Sequence, residues 1–335
     1  VKQAREIIAE AINASPEDII FTSGATEADN LAIKGVAEAY FSQGQHIITV
    51  ATEHRAVLDP CQYLESLGFE ITYLSVKEDG LIDLEELEKT IRPDTILVSV
   101  MAANNEIGVL QPLAEIGEIC REKEVLFHTD AAQGIGKIAL DVEAMKIDLM
   151  SLTAHKVYGP KGIGALYVRR RKPKVRLASQ MQGGGQERDL RSGTLYPPQI
   201  VGFGKAVELG LAEMDTEGER LQKLRDRALK ELSQLEGVYL NGHPTQRLAG
   251  NLNVSVAGVD GTALILGLQP VIAVSSGSAC SSQSTAPSHV ITALGRSKKL
   301  ANASIRFGMG RFTTEEDIDC AIAHTITTIQ SLRKH

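Results

Sequence analysis

The sequence predicts an α/β protein with a large, mainly parallel sheet, followed by a smaller α+β region. Short runs rich in apolar and β-branched residues alternate with helical patterns through the first two-thirds of the chain. After about Leu211 that alternation gives way to a charged helix, short strands and a closing helix. With 335 residues, 43% of them hydrophobic, the chain can bury a large core and fill about two domains at ~150 residues each. We therefore expect a large domain over 1–212 and a small one over 213–335, although no Pro/Gly-rich linker separates them.

The expected strands of the first domain are Ile19–Phe21, His46–Val50, Phe69–Val76, Thr95–Met101, Val125–Thr129, Asp148–Thr153 and Gly164–Arg169. Between them, Thr26–Phe41 places Ala28, Leu31, Ala32, Gly35, Val36 and Ala39 at three- and four-residue intervals, the signature of one buried helical face. Leu84–Ile91 and Leu113–Glu124 show a similar pattern. In the second domain the expectations are a charged helix over Glu217–Leu235, strands near Val238–Leu240 and Leu252–Ser255, and a further strand carrying Arg306.

Bulk properties exclude several classes. The net charge of −7 and the scattered basic residues, apart from Arg169–Lys172, argue against nucleic acid. No apolar run reaches the ~18 residues of a membrane span, and no charged-then-apolar leader opens the chain. A cytoplasmic location is the default, while a first residue of valine rather than methionine leaves room for a removed targeting segment. Four cysteines without a C-x-x-C pair argue against a disulfide framework or a structural zinc site, and no metal is expected. Cys61, Cys120 and Cys320 fall in helical stretches, where a free cysteine is usually a small buried hydrophobe. Cys280 instead sits among small polar residues in Ser275-Ser-Gly-Ser-Ala-Cys-Ser-Ser-Gln-Ser-Thr-Ala-Pro287, in a loop expected to be mobile over about 275–290, where its thiol is a candidate nucleophile.

The most specific chemistry lies in Ser151-Leu-Thr-Ala-His-Lys156-Val-Tyr-Gly-Pro-Lys-Gly, preceded by Val125-Leu-Phe-His-Thr-Asp130-Ala-Ala-Gln133. Pyridoxal phosphate needs an amine for its aldehyde, a carboxylate to keep its ring nitrogen protonated, and hydroxyls and N–H groups for its phosphate. Lys156, Asp130 and Thr153 with His155 match those needs. Taken singly, each is better read as a surface lysine or a strand-terminal aspartate. Only the set is specific.

In open α/β sheets ligands gather at the carboxyl ends of the strands, where several further residues are expected. Thr22-Ser-Gly-Ala25-Thr26 turns from a strand into a helix, so its N–H groups and the Thr26 hydroxyl suit a phosphate, with a plain helix cap as the alternative. His54 follows a strand in Thr-Glu-His and could lie on the ring and exchange protons, or be a solvated loop histidine. Asn105 could reach the ring's phenolic oxygen or a substrate carboxylate, and Gln133 the phenolate. Arg306 offers the planar fork that grips a carboxylate, whereas Arg311 suits a structural ion pair. The glycine-rich stretches Gly159–Gly164 and Gly183–Gly185 lack a nucleotide-loop pattern.

Together these motifs resemble the cysteine desulfurases of the class V aminotransferase group, within the fold-type I pyridoxal-phosphate transferases. Thr-Ser-Gly-Ala-Thr-Glu, Thr-Glu-His, Asn-Asn-Glu-Ile-Gly, Asp-Ala-Ala-Gln, the lysine segment, Arg-Ser-Gly-Thr and Ser-Ser-Gly-Ser-Ala-Cys follow the family's order over nearly the whole chain. The long cysteine loop is similar to the NifS/IscS type. The resemblance implies that Lys156 bonds the cofactor, Asp130, Gln133 and Asn105 hold its ring and His54 stacks on it. It also implies that Ala25, Thr26, Thr153 and His155 bind its phosphate. Asn105 and Arg306 would hold the carboxylate of L-cysteine, and Lys156, His54 and Cys280 would be catalytic. Thr194 would reach the phosphate of a partner subunit, which implies a homodimer. The implied activity is conversion of L-cysteine to L-alanine with a persulfide on Cys280, passed to a sulfur-acceptor protein for iron–sulfur or thio-cofactor assembly. Thr153 stands where the family more often has serine. The family's early Asp-Asn-Asn-Ala-Thr-Thr-like strand and its longer carboxyl-terminal tail are not in the sequence. The alternatives are a selenocysteine lyase, C–S lyase or other class V enzyme, and a non-catalytic sulfur-relay subunit.

Overall fold

A computed structural model describes residues 1–276 and 287–334; Cys280 and most of its loop lie outside them. The chain divides into two compact units, one of 1–75, 82–103 and 111–214, the other of 76–81, 104–110 and 215–335. The long cut falls at Met214/Asp215, and two short segments, 76–81 and 104–110, belong to the second unit, an exchange that a single sequence boundary did not anticipate.

The first unit opens with α1 (Lys2–Glu10) and continues as β1 (Ile19–Thr22), α2 (Ala25–Ala39), β2 (His46–Val50), α3 (Arg55–Ser66), β3 (Glu70–Leu74), α4 (Leu84–Thr90), β4 (Thr95–Ser99), α5 (Leu113–Glu122), β5 (Leu126–Asp130), β6 (Leu149–Thr153) and β7 (Gly164–Val168). Its seven-stranded sheet has the order β1-β7-β6-β5-β4-β2-β3. From β3 through β6 the pairings are parallel; β7 runs antiparallel to both β6 and β1. Consequently β1, β2, β4, β5 and β6 all end at the same edge. Every residue of β1, β2 and β4–β7 is buried, as expected where a sheet is covered on both faces, while the edge strand β3 is largely half-exposed. The apolar runs of these strands are thus explained by burial rather than alternation.

The predicted face of α2 packs into a core with Ile20, Ile47, Leu97, Leu126, Leu149 and Leu166. Its buried surface is wider than predicted, taking in Ile33, Ala37 and the acidic Asp29 and leaving Ala39 half-exposed. The helix begins without a side-chain cap at Gly24, so neither Thr26 nor Ser23 caps it.

Helix α6 (Pro197–Leu232) contains the division between the units and starts twenty residues before the expected charged helix. Prolines at its opening are tolerated there because the first N–H groups of a helix have no intrahelical partner. The second unit then adds β8 (Val238–Leu240), β9 (Asn251–Val256), α7 (Gly261–Leu268), β10 (Ser275–Ser276), α8 (His289–Ala293), α9 (Lys298–Asn302), β11 (Ser304–Gly308) and α10 (Glu315–Leu332). Its four-stranded sheet, β10-β11-β9-β8, is antiparallel throughout. Leu221, Leu224, Val254, Leu264, Ile305 and Ile322 contribute to its core. Thr314 and Asp317 form a reciprocal capping box that starts α10. Cys61 and Cys120 are buried, but Cys320 is exposed on the outer face of α10, contrary to expectation.

Candidate functional site

Strand order brings the predicted cofactor residues of the first unit to one sheet edge. Asp130 ends β5 and pairs in register with Ser151 of β6. Beyond the end of β6, a tight 3-10 turn, Ala154–Lys156, carries His155 and Lys156, both exposed. Asp130 is only 5% exposed and accepts a 2.8 Å hydrogen bond from the Ala132 N–H. Burial pushes its carboxyl above the ordinary value, while that N–H and the charges of His54 and Lys156 pull it back. No arginine or lysine among the described residues forms a contact ion pair with Asp130, so a bound cation, such as a protonated pyridine ring, would relieve the cost of its charge.

The phosphate candidates surround Gly164. This glycine begins β7 and lies in register with Thr22 on one side and Thr153 on the other. A Cβ built on it would come within 2.7 Å of the Gly24 backbone, so glycine is needed where the chain turns into α2. Thr153 Oγ1 lies 3.0 Å from His155 Nδ1. Burial, then the charges of Lys156 and Lys161, lower the basicity of His155. Ala25 and Thr26 form the first turn of α2, whose free N–H groups suit an anion. These groups fit the phosphate of pyridoxal phosphate.

His54 is the N-cap of α3: its Nδ1 accepts the Ala56 N–H at 3.1 Å, leaving Nε2 as the nitrogen that carries hydrogen in the neutral ring. A cavity of about 340 Å³ opens beside it, lined by Thr26, Asn30, Lys34, Arg55 and Tyr63 among others. The half-buried Gln133 accepts a hydrogen bond from Lys137 at 3.1 Å. Thr194 is exposed; three residues before it, Arg191 pairs with Glu27 of α2 at 2.6 Å. Burial opposes ionisation of Glu27, yet Arg191 and Ser23 hold its carboxyl below the ordinary value.

Asn105 and Arg306 belong to the second unit. There the Asn105 carbonyl accepts from Arg306 Nη1 at 2.5 Å, and Arg306 Nη2 donates to Ser275 Oγ at 3.2 Å. The 104–110 segment is riveted in place by Arg247, which donates to the Ile107 carbonyl at 2.9 Å, and by Asn253, which donates to that of Glu106 at 3.1 Å. Arg311 pairs with Glu217 at 3.0 Å, the structural role expected of it.

Sequence reasoning passed over Asp29, Glu53, His128 and Glu106. Asp29 and Glu53 are fully buried, as is His128, whose ring nitrogens meet the hydroxyls of Ser99 and Ser151 at 2.8 and 3.0 Å. A carboxylate inside the apolar stripe of α2 was the available signal. Among the described residues no cluster could hold a metal, and no helix is long and apolar enough to cross a membrane.

The aminotransferase class-V family model matches residues 1–320. A cysteine desulfurase IscS of Tolumonas auensis is 58% identical over 99% of this chain and 82% of its own, and one of Dechloromonas aromatica is 57% identical over 100% and 82%. Among solved structures, a NifS-like protein superposes with a TM-score of 0.91 at 37% identity, covering 99% of this chain and 87% of the other. SspA in complex with cysteine gives 0.82 at 40% identity over 93% and 87%. The chain belongs to the aminotransferase class-V family. Its cofactor is pyridoxal phosphate.

Proposed function

We propose that the chain is a pyridoxal-phosphate-dependent cysteine desulfurase that converts L-cysteine to L-alanine and holds the removed sulfur as a persulfide on Cys280. One observation carries the reading: a buried carboxylate, Asp130, ends β5 while Lys156 lies just past the end of the adjoining strand β6. The full-length identity to cysteine desulfurases supports the same activity.

Bound pyridoxal phosphate supplies an electron sink for the bond cleavages at the substrate's Cα and Cβ. In this reading Lys156 would hold the cofactor through its aldehyde, and its amine would serve as the base that takes the proton from the substrate's Cα. Asp130 stays ionised to keep the ring nitrogen protonated, with Gln133 and Asn105 as further contacts to the ring. Ala25, Thr26, Thr153 and His155 hold the phosphate. His54 stacks on the ring and passes protons through Nε2. Arg306 and Asn105 bind the substrate carboxylate, the arginine through its planar fork. The Cys280 thiolate attacks the substrate sulfur, so that an S–S bond forms as the C–S bond breaks and a proton returns to carbon to give alanine. Thiol exchange then passes the outer sulfur to an acceptor protein.

Thr194 completes the phosphate site of a second copy, which makes the homodimer the active form. The exposed hydroxyl and the Arg191–Glu27 pair that fixes its segment support that assignment. The acceptor is an iron–sulfur scaffold or a sulfur carrier, and the enzyme works in the cytoplasm.

Measuring alanine and sulfide released from cysteine, with and without reductant, tests the reaction. Cys280→Ser should keep the cofactor and the spectral change on adding cysteine but form no persulfide; normal turnover in that variant refutes the role of Cys280.

A further inference from the structure

Three carboxylates are buried around the end of β5. Asp29 and Glu53 have no exposed surface and Asp130 retains 5%. They differ in what meets them. Asp130 accepts the Ala132 N–H, and Glu53 Oε1 accepts the Met101 N–H at 2.6 Å. Neither oxygen of Asp29 has a donor within hydrogen-bonding geometry. Its nearest ion-pair candidate is His128 Nε2, 3.6 Å from Oδ1, and that nitrogen is already engaged at 3.0 Å by the Ser151 hydroxyl.

An ionised carboxylate in such a place loses its hydration and gains little in return, a penalty of about several kcal/mol per ion. Two arrangements avoid it: transfer of the proton-borne charge to His128, giving an ion pair, or retention of the proton on Asp29. The histidine is the poorer base here. Burial lowers it to about 3, and both its nitrogens already have hydroxyl partners. For Asp29, burial first and then the charge of Asp130 push the carboxyl well above the ordinary value; Ser151 opposes this and Glu53 adds to it. A proton on Asp29 also removes a repulsion that would otherwise work against charge on Asp130.

We propose that Asp29 is held as a neutral carboxylic acid, a positioning residue that leaves the negative charge of this cluster on Asp130, where a pyridinium nitrogen would meet it. The proposal rests on the pyridoxal-phosphate reading given above. It assigns to α2 a duty beyond its first turn: one end offers N–H groups to a phosphate, and one turn further along it carries the proton that keeps the neighbouring acids from competing.

Infrared spectroscopy of the full chain, with and without pyridoxal phosphate, tests it directly. Burial raises the carboxyls of Glu53 and Glu106 as well, so the readout is the difference spectrum: Asp29→Asn should lose one protonated-carboxyl carbonyl component of the wild-type spectrum while those of Glu53 and Glu106 stay. If Asp29→Asn instead removes carboxylate intensity and leaves every protonated component, the proposal is overturned. A second measurement follows cofactor affinity: Asp29→Ala should weaken it about tenfold, and Asp29→Asn, a neutral isostere, should recover most of that loss. Because a neutral amide must be tolerated where a neutral acid sits, an Asp29→Asn chain that melts well below wild type also refutes the assignment. Should the wild-type chain take up no pyridoxal phosphate, the functional reading fails, while the infrared comparison still decides the protonation of Asp29.

Discussion

The two units differ in the charges they bury. Every fully buried carboxylate among the described residues lies in the first, beside the buried Arg169, whereas in the second the buried charges are the arginines Arg225 and Arg247. An arginine keeps its charge inside a protein when backbone carbonyls surround it. Arg247 does so with the carbonyls of Asn241, His243, Asn251 and Ile107. A carboxylate needs N–H groups, a cation or a proton. In the first unit Asp148 meets Arg121 at 2.8 Å and Glu187 meets Arg5 at 2.6 Å, the arrangement of structural acids. Asp29 and Asp130 lack such partners. The contrast separates acids that fasten loops through an arginine from acids that have no such fastening.

The sharpest way to break this comparison is Lys156→Ala, which should lower sulfide release on the order of a thousandfold or more and abolish the absorbance of lysine-bound cofactor. Asp130→Asn should cost about a hundred- to a thousandfold in kcat while leaving the fold intact, because it removes a charge presented to the ligand rather than a fastening. Arg247→Met should do the reverse: about 3 kcal/mol of stability lost in urea titration, as several buried carbonyls lose their donor. Equal loss of stability in Asp130→Asn and Arg247→Met would erase the distinction. Arg306→Lys should raise KM for cysteine about tenfold, with a smaller change in kcat, because a point charge replaces a fork.

The smallest expected effect concerns Glu106 in the second unit, which accepts a 2.5 Å hydrogen bond from Ser288. Burial raises its carboxyl to about 7, against the opposing pull of Ser288 and Arg306. The folded chain therefore holds this proton more tightly than the unfolded chain. Its contribution to stability is fully present below the ordinary value of 4.5, declines as pH rises toward about 7, and is flat above it. Glu106→Gln should flatten that part of a plot of melting temperature against pH.

Much of the first unit was legible because its strands are buried on both sides and read as unbroken apolar runs. His46–Val50 matches to the residue, and the others differ only at their ends. The first half of α6 was harder, since Gly202, Gly204 and Gly210 dilute its helical pattern. Gly204 is there because α1 passes close by: a Cβ would lie 2.7 Å from that of Ala4. The motif residues gave the chemistry of the sheet edge, but Asp29 stayed hidden among alanines and leucines. Single-sequence periodicity tolerates one acid in a buried stripe, and only three-dimensional neighbours reveal that it has no counter-ion. The interleaving of 104–110 with the second unit was equally invisible, because it depends on Arg247 and Asn253, far away in sequence.

The cap made by His54 couples the orientation of its ring to helix integrity. With the lone pair of Nδ1 committed to the Ala56 amide, the imidazole cannot turn without giving up that grip on α3. One contact therefore sets both the pose of the ring and the first turn of the helix behind it, and a change that frees either must disturb the other.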